Sequence, residues 1–193
     1  MVRFYRAAGR GSRCHVGVDP NRAGPRATIS PMTLSATDLA LLTRAVDLAE
    51  AALAAGDEPF GSLLVDATGE VRFTDHNHVA GGDHTQHPEF AIARWAAEHL
   101  SPAERAAATV YTSGEHCPMC AAAHGWVGLG RIVVAATSEQ LVGWLTGWDQ
   151  PTAPVAALPV GVVVPGAVVD GPAPELSERV RQLHARSRGI DPA

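Results

Sequence analysis

The apolar and polar positions change period several times along the chain, and each change marks an element. Behind Ser35 or Thr37 as candidate caps, Leu39, Leu42, Val46, Ala49 and Leu53 recur at three- and four-residue steps until Gly56, the pattern of an amphipathic helix. Asp57-Glu58-Pro59 reads as a turn, Phe60–Val65 as a buried strand, Ala67–Glu70 as a tight turn and Val71–Thr74 as the hairpin partner. Asp75 to Gln86 is polar and rich in histidine. A second helix is expected over Pro88–Leu100, its proline in the tolerated first turn. After an alanine-rich turn behind Pro102, the spacing predicts a strand over Thr109–Thr112. A small-residue helix over Cys117–Val127 follows, closed by Gly128 and Gly130, then a strand over Arg131–Ala136. Ser138 can cap a helix through Leu145, Gly147–Pro159 is a proline-punctuated loop, Val160–Val164 reads as an apolar strand, and Glu175–Arg188 as a final amphipathic helix. The order α-β-β-α-β-α-β-α-β-α predicts a three-layer α/β fold, a mixed five-stranded sheet with helices on both faces.

Composition narrows this to one domain: 193 residues with 46% hydrophobic and 18% charged positions suit a single soluble core. Residues 1–31 carry Gly, Pro and Arg without period and read as a flexible extension, so the expected domain is 32–193. Met32 is a second candidate start. Cys14 and His15 in that extension read as loose tail residues, since no ligand of suitable spacing lies nearby. No apolar run approaches the roughly 18 residues of a membrane span. Arg3, Arg6, Arg10 and Arg13 recur without the apolar stretch of a secretory signal. Three cysteines cannot build a disulfide framework, which points to a reducing, cytoplasmic setting.

Charge adds one exclusion. The first 31 residues hold six arginines against Asp19, and the remainder carries a net charge of about −10 with no lysine at all. An acidic body is poorly equipped to neutralise many phosphates, so a nucleic-acid partner is not expected.

The chemistry-bearing segments are Gln86-His87-Pro88-Glu89-Phe90 and Glu115-His116-Cys117-Pro118-Met119-Cys120, each at a helix start. Cys117 and Cys120 are three apart in a first turn, so both sulfurs can face one side, and the helix N-terminus favours their thiolates. Together with His87 they offer three ligands suited to Zn²⁺ and leave a fourth position for water, the catalytic rather than the structural pattern. Such an ion lowers the pKa of its water to roughly 7, and Glu89 is placed to move the proton.

His87-x-Glu89 followed by Cys117-x-x-Cys120 resembles the zinc deaminases of the cytidine deaminase-like superfamily. Pro59–Val65, His76-Asn77, Tyr111–Glu115 and Gly125–Gly128 before Arg131 follow in family order, so the resemblance spans about residues 35–148. The sequence is most similar to the guanine and cytosine deaminase branch and to its relative, the tRNA adenosine deaminase. The resemblance implies that His87, Cys117 and Cys120 bind zinc and that Glu89 shuttles protons. Asn77 would hydrogen-bond the base, Phe60 pack beside its ring, and the backbone at Gly61, Ser62 and Ser113 line the pocket. In that chemistry a zinc-activated hydroxide attacks the amino-bearing ring carbon and ammonia leaves. A homodimer is also implied.

Two positions depart from the family. Pro88 stands where alanine or valine is usual, and His116 stands where proline is usual, which frees a side chain at the mouth of the site to touch substrate or face solvent. His76, His78 and His84 read as loop residues that can form a pocket rim, and Trp95 and Trp126 as core residues. Trp126 also begins a stretch that closes over the site in relatives, which makes it a candidate substrate contact. Trp144 or Trp148 can cap a pocket, and Asp149 can meet a base edge. The expected activity is hydrolytic deamination of a small free base: guanine first, then cytosine, isocytosine or amino-triazines. The alternatives are a tRNA-editing adenosine deaminase and a non-catalytic zinc module, the latter disfavoured by Glu89.

Overall fold

In the computed structural model, which describes residues 34–191, five strands order as β2-β1-β3-β4-β5. The strands are β1 (Gly61–Val65), β2 (Val71–His76), β3 (Thr109–Gly114), β4 (Arg131–Ala136) and β5 (Val169–Asp170). β1 pairs antiparallel with β2 and β3, whereas β3–β4 and β4–β5 are parallel, so the sheet is mixed as expected. The helices are α1 (Ala36–Ala55), α2 (Pro88–His99), α3 (Pro102–Ala107), α4 (Pro118–Val127), α5 (Ser138–Gly147), α6 (Val160–Val163) and α7 (Pro174–Arg186). The extension and its Cys14, His15 and Met32 lie outside the described residues.

Strand alternation sorts the core into two faces. Leu63, Val65, Tyr111, Val133 and Ala135 pack under α1 and α7, while Leu64 and Val110 pack under α2. Ile132 and Val134 join Ala121 of α4 and Val160 of α6 on that second face. Because both faces are covered, the central strands are buried along their length, and each fully buried Leu or Ile adds about 1.5–3 kcal/mol. Gly61 is required on the α1 face: a Cβ there would sit 2.5 Å from the Ala45 carbonyl oxygen.

Ser35 closes a capping box with Asp38 at the start of α1, and Gly56 ends the helix with φ 91°. Pro88 and Pro118 occupy first-turn positions of α2 and α4, so the unusual Pro88 starts its helix without strain.

Three expectations are corrected. The alanine-rich segment after Pro102 is a helix, α3, held by a capping box between Ser101 and Glu104. Val160–Val163 is a helical turn rather than a strand, its first N–H donating to the Glu115 carboxylate at 2.8 Å. The fifth strand is instead the two-residue β5, which pairs with Ile132 and Val133. The cap of α5 is Thr137, one residue before Ser138. Among the described residues no helix is long and apolar enough to cross a membrane.

Candidate functional site

Two helix starts on one face of the sheet meet at the site. His87 is the N-cap residue of α2 and Cys117 that of α4, and the two helices pack against each other. His87 Nδ1 lies 3.6 Å from Cys117 Sγ and 3.6 Å from Cys120 Sγ, and the two sulfurs are 3.6 Å apart. A tetrahedral Zn²⁺ with Zn–S of about 2.3 Å and Zn–N of about 2.0–2.1 Å sets ligand separations of about 3.8 Å between sulfurs and about 3.6 Å between sulfur and nitrogen. The triangle fits that ion, and His87, Cys117 and Cys120 form a group able to hold a metal. The Cys120 thiol, donating to Cys117, and the His87 imidazole draw the Cys117 thiol down to about 4. The same bond and burial push Cys120 up. His87 is raised by its Cys117 partner. The arrangement already favours one thiolate, which is what a cation needs.

Glu89 sits in the first turn of α2, two residues beyond His87, and is 5% exposed. Its Oε1 accepts from Ser62 Oγ at 2.8 Å and Thr112 Oγ1 at 2.9 Å, and burial pushes its carboxyl up. Ser62 and Thr112 are themselves 2.9 Å apart, and Thr112 Oγ1 also reaches the Gly114 carbonyl at 2.8 Å. Each hydroxyl has one proton to give. When Glu89 is ionised both can point at Oε1. When it is protonated, Thr112 can turn to Gly114 and Ser62 to Thr112. Both charge states are therefore satisfied without moving a heavy atom. Thr112 was not singled out from the sequence. Its signal lies in strand alternation, which places Thr112 on the face of Val110 and Ser62 on that of Leu64.

Asn77 is fully buried just beyond β2. Its main-chain N–H donates to Phe60 O at 3.0 Å, and the next residue, His78, donates to Gln86 O at 3.0 Å, beside His87. Its side-chain Oδ1 accepts from Val79 N–H at 3.0 Å, which fixes the amide orientation and leaves Nδ2 buried without a partner. Phe60 packs edge-on to His184 of α7, ring centroids 5.0 Å apart, and against Gly114. Ser113 Oγ accepts from Gly61 N–H at 3.1 Å and so joins the edges of β1 and β3. Phe60, Gly61, Ser62, Ser113 and Asn77 thus gather around the start of β1 and the end of β3.

Two candidates fall elsewhere. His116 is 1% exposed rather than at the mouth: it packs edge-on to His124 at 5.3 Å, and neither ring nitrogen has a protein partner. Burial pushes its imidazole well below the usual range. Trp126 is 90% exposed on α4, so it is not a core residue. Trp95 packs on Phe73 and stacks on His99. Trp144 joins the α1–α7 core near His184, Trp148 caps α5, and Asp149 is exposed with φ 53°. Sequence reasoning also left Glu115 without a role; its two oxygens accept from Ser138 N–H at 2.9 Å and Val160 N–H, anchoring α5 and α6 to the segment between β3 and Cys117.

Residues 35–136 match the family described as the cytidine and deoxycytidylate deaminase zinc-binding region. The chain is 34% identical over 114 residues to a probable cytosine deaminase of Schizosaccharomyces pombe, covering 59% of this chain and 69% of that protein. In fold it is similar to the guanine deaminase from Nitrosomonas europaea, with TM-score 0.59, 23% identity, and 83% and 89% of the two chains covered. It is also similar to a tRNA A34 deaminase, with TM-score 0.54, 24% identity, and 75% and 99% covered. The match over more than half the chain and the ligand triangle beside a buried carboxyl lead to one assignment: the chain belongs to the cytidine and deoxycytidylate deaminase zinc-binding family and is a hydrolytic C–N deaminase.

Proposed function

We propose that the enzyme deaminates a small free nucleobase, with guanine the leading substrate and cytosine, isocytosine and amino-triazines behind it. The observation that carries this reading is the orphaned Asn77 Nδ2. A fully buried amide donor with no protein partner is costly unless a ligand completes it, and a ring carbonyl is the acceptor it fits. Guanine, cytosine and isocytosine present such a carbonyl on the ring that bears the amino group, whereas adenine has none. A relative 34% identical to this chain carries the name of a probable cytosine deaminase, which agrees with a free base as substrate.

His87, Cys117 and Cys120 would hold a zinc ion, which would supply Lewis-acid activation of water near neutral pH. Glu89 Oε1, with Ser62 and Thr112 turned toward it, accepts a proton from the attacking water and gives it to the ring nitrogen beside the amino-bearing carbon. A C–O bond forms, the C–N bond breaks, and ammonia leaves with a proton carried by the same carboxyl. Phe60 lies beside the ring, and the backbone at Gly61 and Ser113 bounds it.

RNA editing is the weaker reading because the body is acidic, and Arg72, Arg131, Arg179, Arg181 and Arg186 are already in ion pairs. A non-catalytic zinc module gives no use to Glu89. Cys117 and Cys120, placed as metal ligands and not joined in a disulfide, suit a reducing cytoplasm. A homodimer is supported by the bare Trp126 indole, which a second copy would cover; Trp126→Glu then leaves a monomer in sedimentation.

The test is ammonia release by zinc-loaded protein from guanine, cytosine, isocytosine, adenine, amino-triazines and their nucleosides, with Glu89→Gln as the blank. Turnover on a carbonyl-bearing free base, lost in the variant, is expected. Turnover on adenosine in tRNA alone, suppressed by salt, would replace this reading with editing.

A further inference from the structure

The histidine-rich segment after β2 holds a second group of ligands that the deamination chemistry does not use. Asp57, in the turn between α1 and β1, and His76 and His78, on either side of Asn77, each present one ligand atom within 4.8 Å of the others. The two imidazoles lie with centroids 4.3 Å apart at 37°.

Their hydrogen bonds define which atoms remain. His76 Nδ1 is 2.9 Å from the Asn77 carbonyl, which can only accept, so in the neutral ring Nδ1 carries the proton and Nε2 keeps its lone pair. His78 Nε2 is 2.9 Å from the Asp75 carboxylate, so the proton sits on Nε2 and Nδ1 is left. Asp57 Oδ1 accepts from Ala80 N–H at 2.7 Å, which leaves Oδ2. A histidine whose second nitrogen donates to a backbone carbonyl or a carboxylate is the arrangement that orients metal-ligating imidazoles. Here both histidines have it.

We propose that Asp57, His76 and His78 form a second site for a divalent transition-metal ion such as Zn²⁺, distinct from the His87–Cys117–Cys120 triangle. Two imidazoles and one carboxylate suit Zn²⁺, Co²⁺ or Ni²⁺ and leave room for water. Asp57 and His76 are half-buried and His78 is exposed, so this ion exchanges more readily than the thiolate-bound one. An ion there ties the turn leading to Phe60 to the strand end carrying Asn77.

The experiment is a Co²⁺ and Zn²⁺ titration of the full chain after chelator dialysis, with metal counted by mass spectrometry. Cobalt distinguishes the sites, because the first equivalent shows a thiolate charge-transfer band and the second adds ligand-field absorption without one. Wild type is expected to take two equivalents. His78→Ala, at an exposed side chain, should keep the thiolate-bound equivalent and weaken the second at least about tenfold, as should Asp57→Asn. A single equivalent in the wild type that carries the thiolate band, or a second retained at full affinity in both variants, would overturn the proposal. Loss of the thiolate band with the second equivalent intact would uphold this site and overturn the primary zinc assignment, so the two failures are distinguishable.

Discussion

Two carboxyl groups are almost equally hidden in this molecule, Glu89 at 5% and Asp38 at 7% exposure, yet their surroundings give them opposite characters. Burial acts on both. Around Asp38 it is outweighed by Arg131 Nη1 at 2.6 Å, Ser35 Oγ at 2.7 Å and Tyr111 Oη at 2.9 Å, which hold its carboxyl well below the usual range. Tyr111 is pushed up to about 12 by burial and the same contact. Arg131 also bonds Asp170 at 2.6 Å, so the network locks α1 to β3, β4 and β5. Around Glu89 the two hydroxyls, helped by the neighbouring His87 and a backbone hydrogen bond, do not outweigh burial, and its carboxyl is pushed up. One carboxylate is fixed as a charge, while the other can change protonation, and that difference suits the first to a structural clamp and the second to the proton transfer proposed for it.

The largest effects should come from reversing each character. Glu89→Gln keeps the shape and removes the titration. Turnover should fall about 10²–10⁴-fold, a barrier increase of about 3–5 kcal/mol, with zinc content and melting temperature near wild type. Asp38→Ala should do the opposite: about 2–3 kcal/mol of stability lost in urea, from a broken pair and a lost capping box, with kcat retained below the new melting point. An Asp38 variant that abolished kcat while fully folded would erase the distinction.

A third buried group, His184, sharpens it from the side of the cation. It packs between Phe60 and Trp144, and burial, with Arg188 nearby, pushes its imidazole down to about 3. The unfolded chain, near 6.5, binds the proton first, so His184 costs stability as pH falls from about 6.5 toward 3, by about 2 kcal/mol between pH 7 and pH 5. His184→Phe should flatten that part of the stability–pH curve; an unchanged slope would show that His184 does not set it. His116 and His124, also lowered by burial, act in the same direction and remain in the variant.

The two carboxyl sites also differ in how far the sequence announced them. His87, Glu89, Cys117 and Cys120 are legible because each pair is close in sequence and sits at a helix start, where spacing alone decides the side a ligand faces. The Asp38 network was invisible, since Asp38 and Arg131 are 93 positions apart and only the folded sheet brings them together. Ser101-x-x-Glu104 was readable as a capping box before α3, and its alanines hid it. Val160–Val164 misled for a physical reason: β-branched residues favour strands, but the Glu115 carboxylate holds Val160 N–H and Pro159 sits at the cap, so one helical turn packs over Gly125 instead. His116, expected at the mouth, is buried instead, because the His124 ring that packs on it comes from the next turns of α4 and has no mark in the motif itself.

The smallest predicted change tests the hydroxyl pair itself. Ser62 and Thr112 each stabilise the ionised form of Glu89, so removing either should raise the pH at which Glu89 ionises. In Ser62→Ala the acid limb of kcat/KM should move to higher pH by up to about one unit, which is about 1.4 kcal/mol, with a turnover loss of about tenfold at the optimum. Thr112→Val should move the limb the same way and also leave the Gly114 carbonyl without its donor, so it should cost more stability than Ser62→Ala. If the two hydroxyls act as one relay, the double variant should lose less than the product of the single losses, because either deletion already prevents the pair from serving both charge states. Fully multiplicative losses would reduce Ser62 and Thr112 to two independent hydrogen bonds on a fixed carboxylate, and Glu89 would then resemble Asp38 more closely than its surroundings imply.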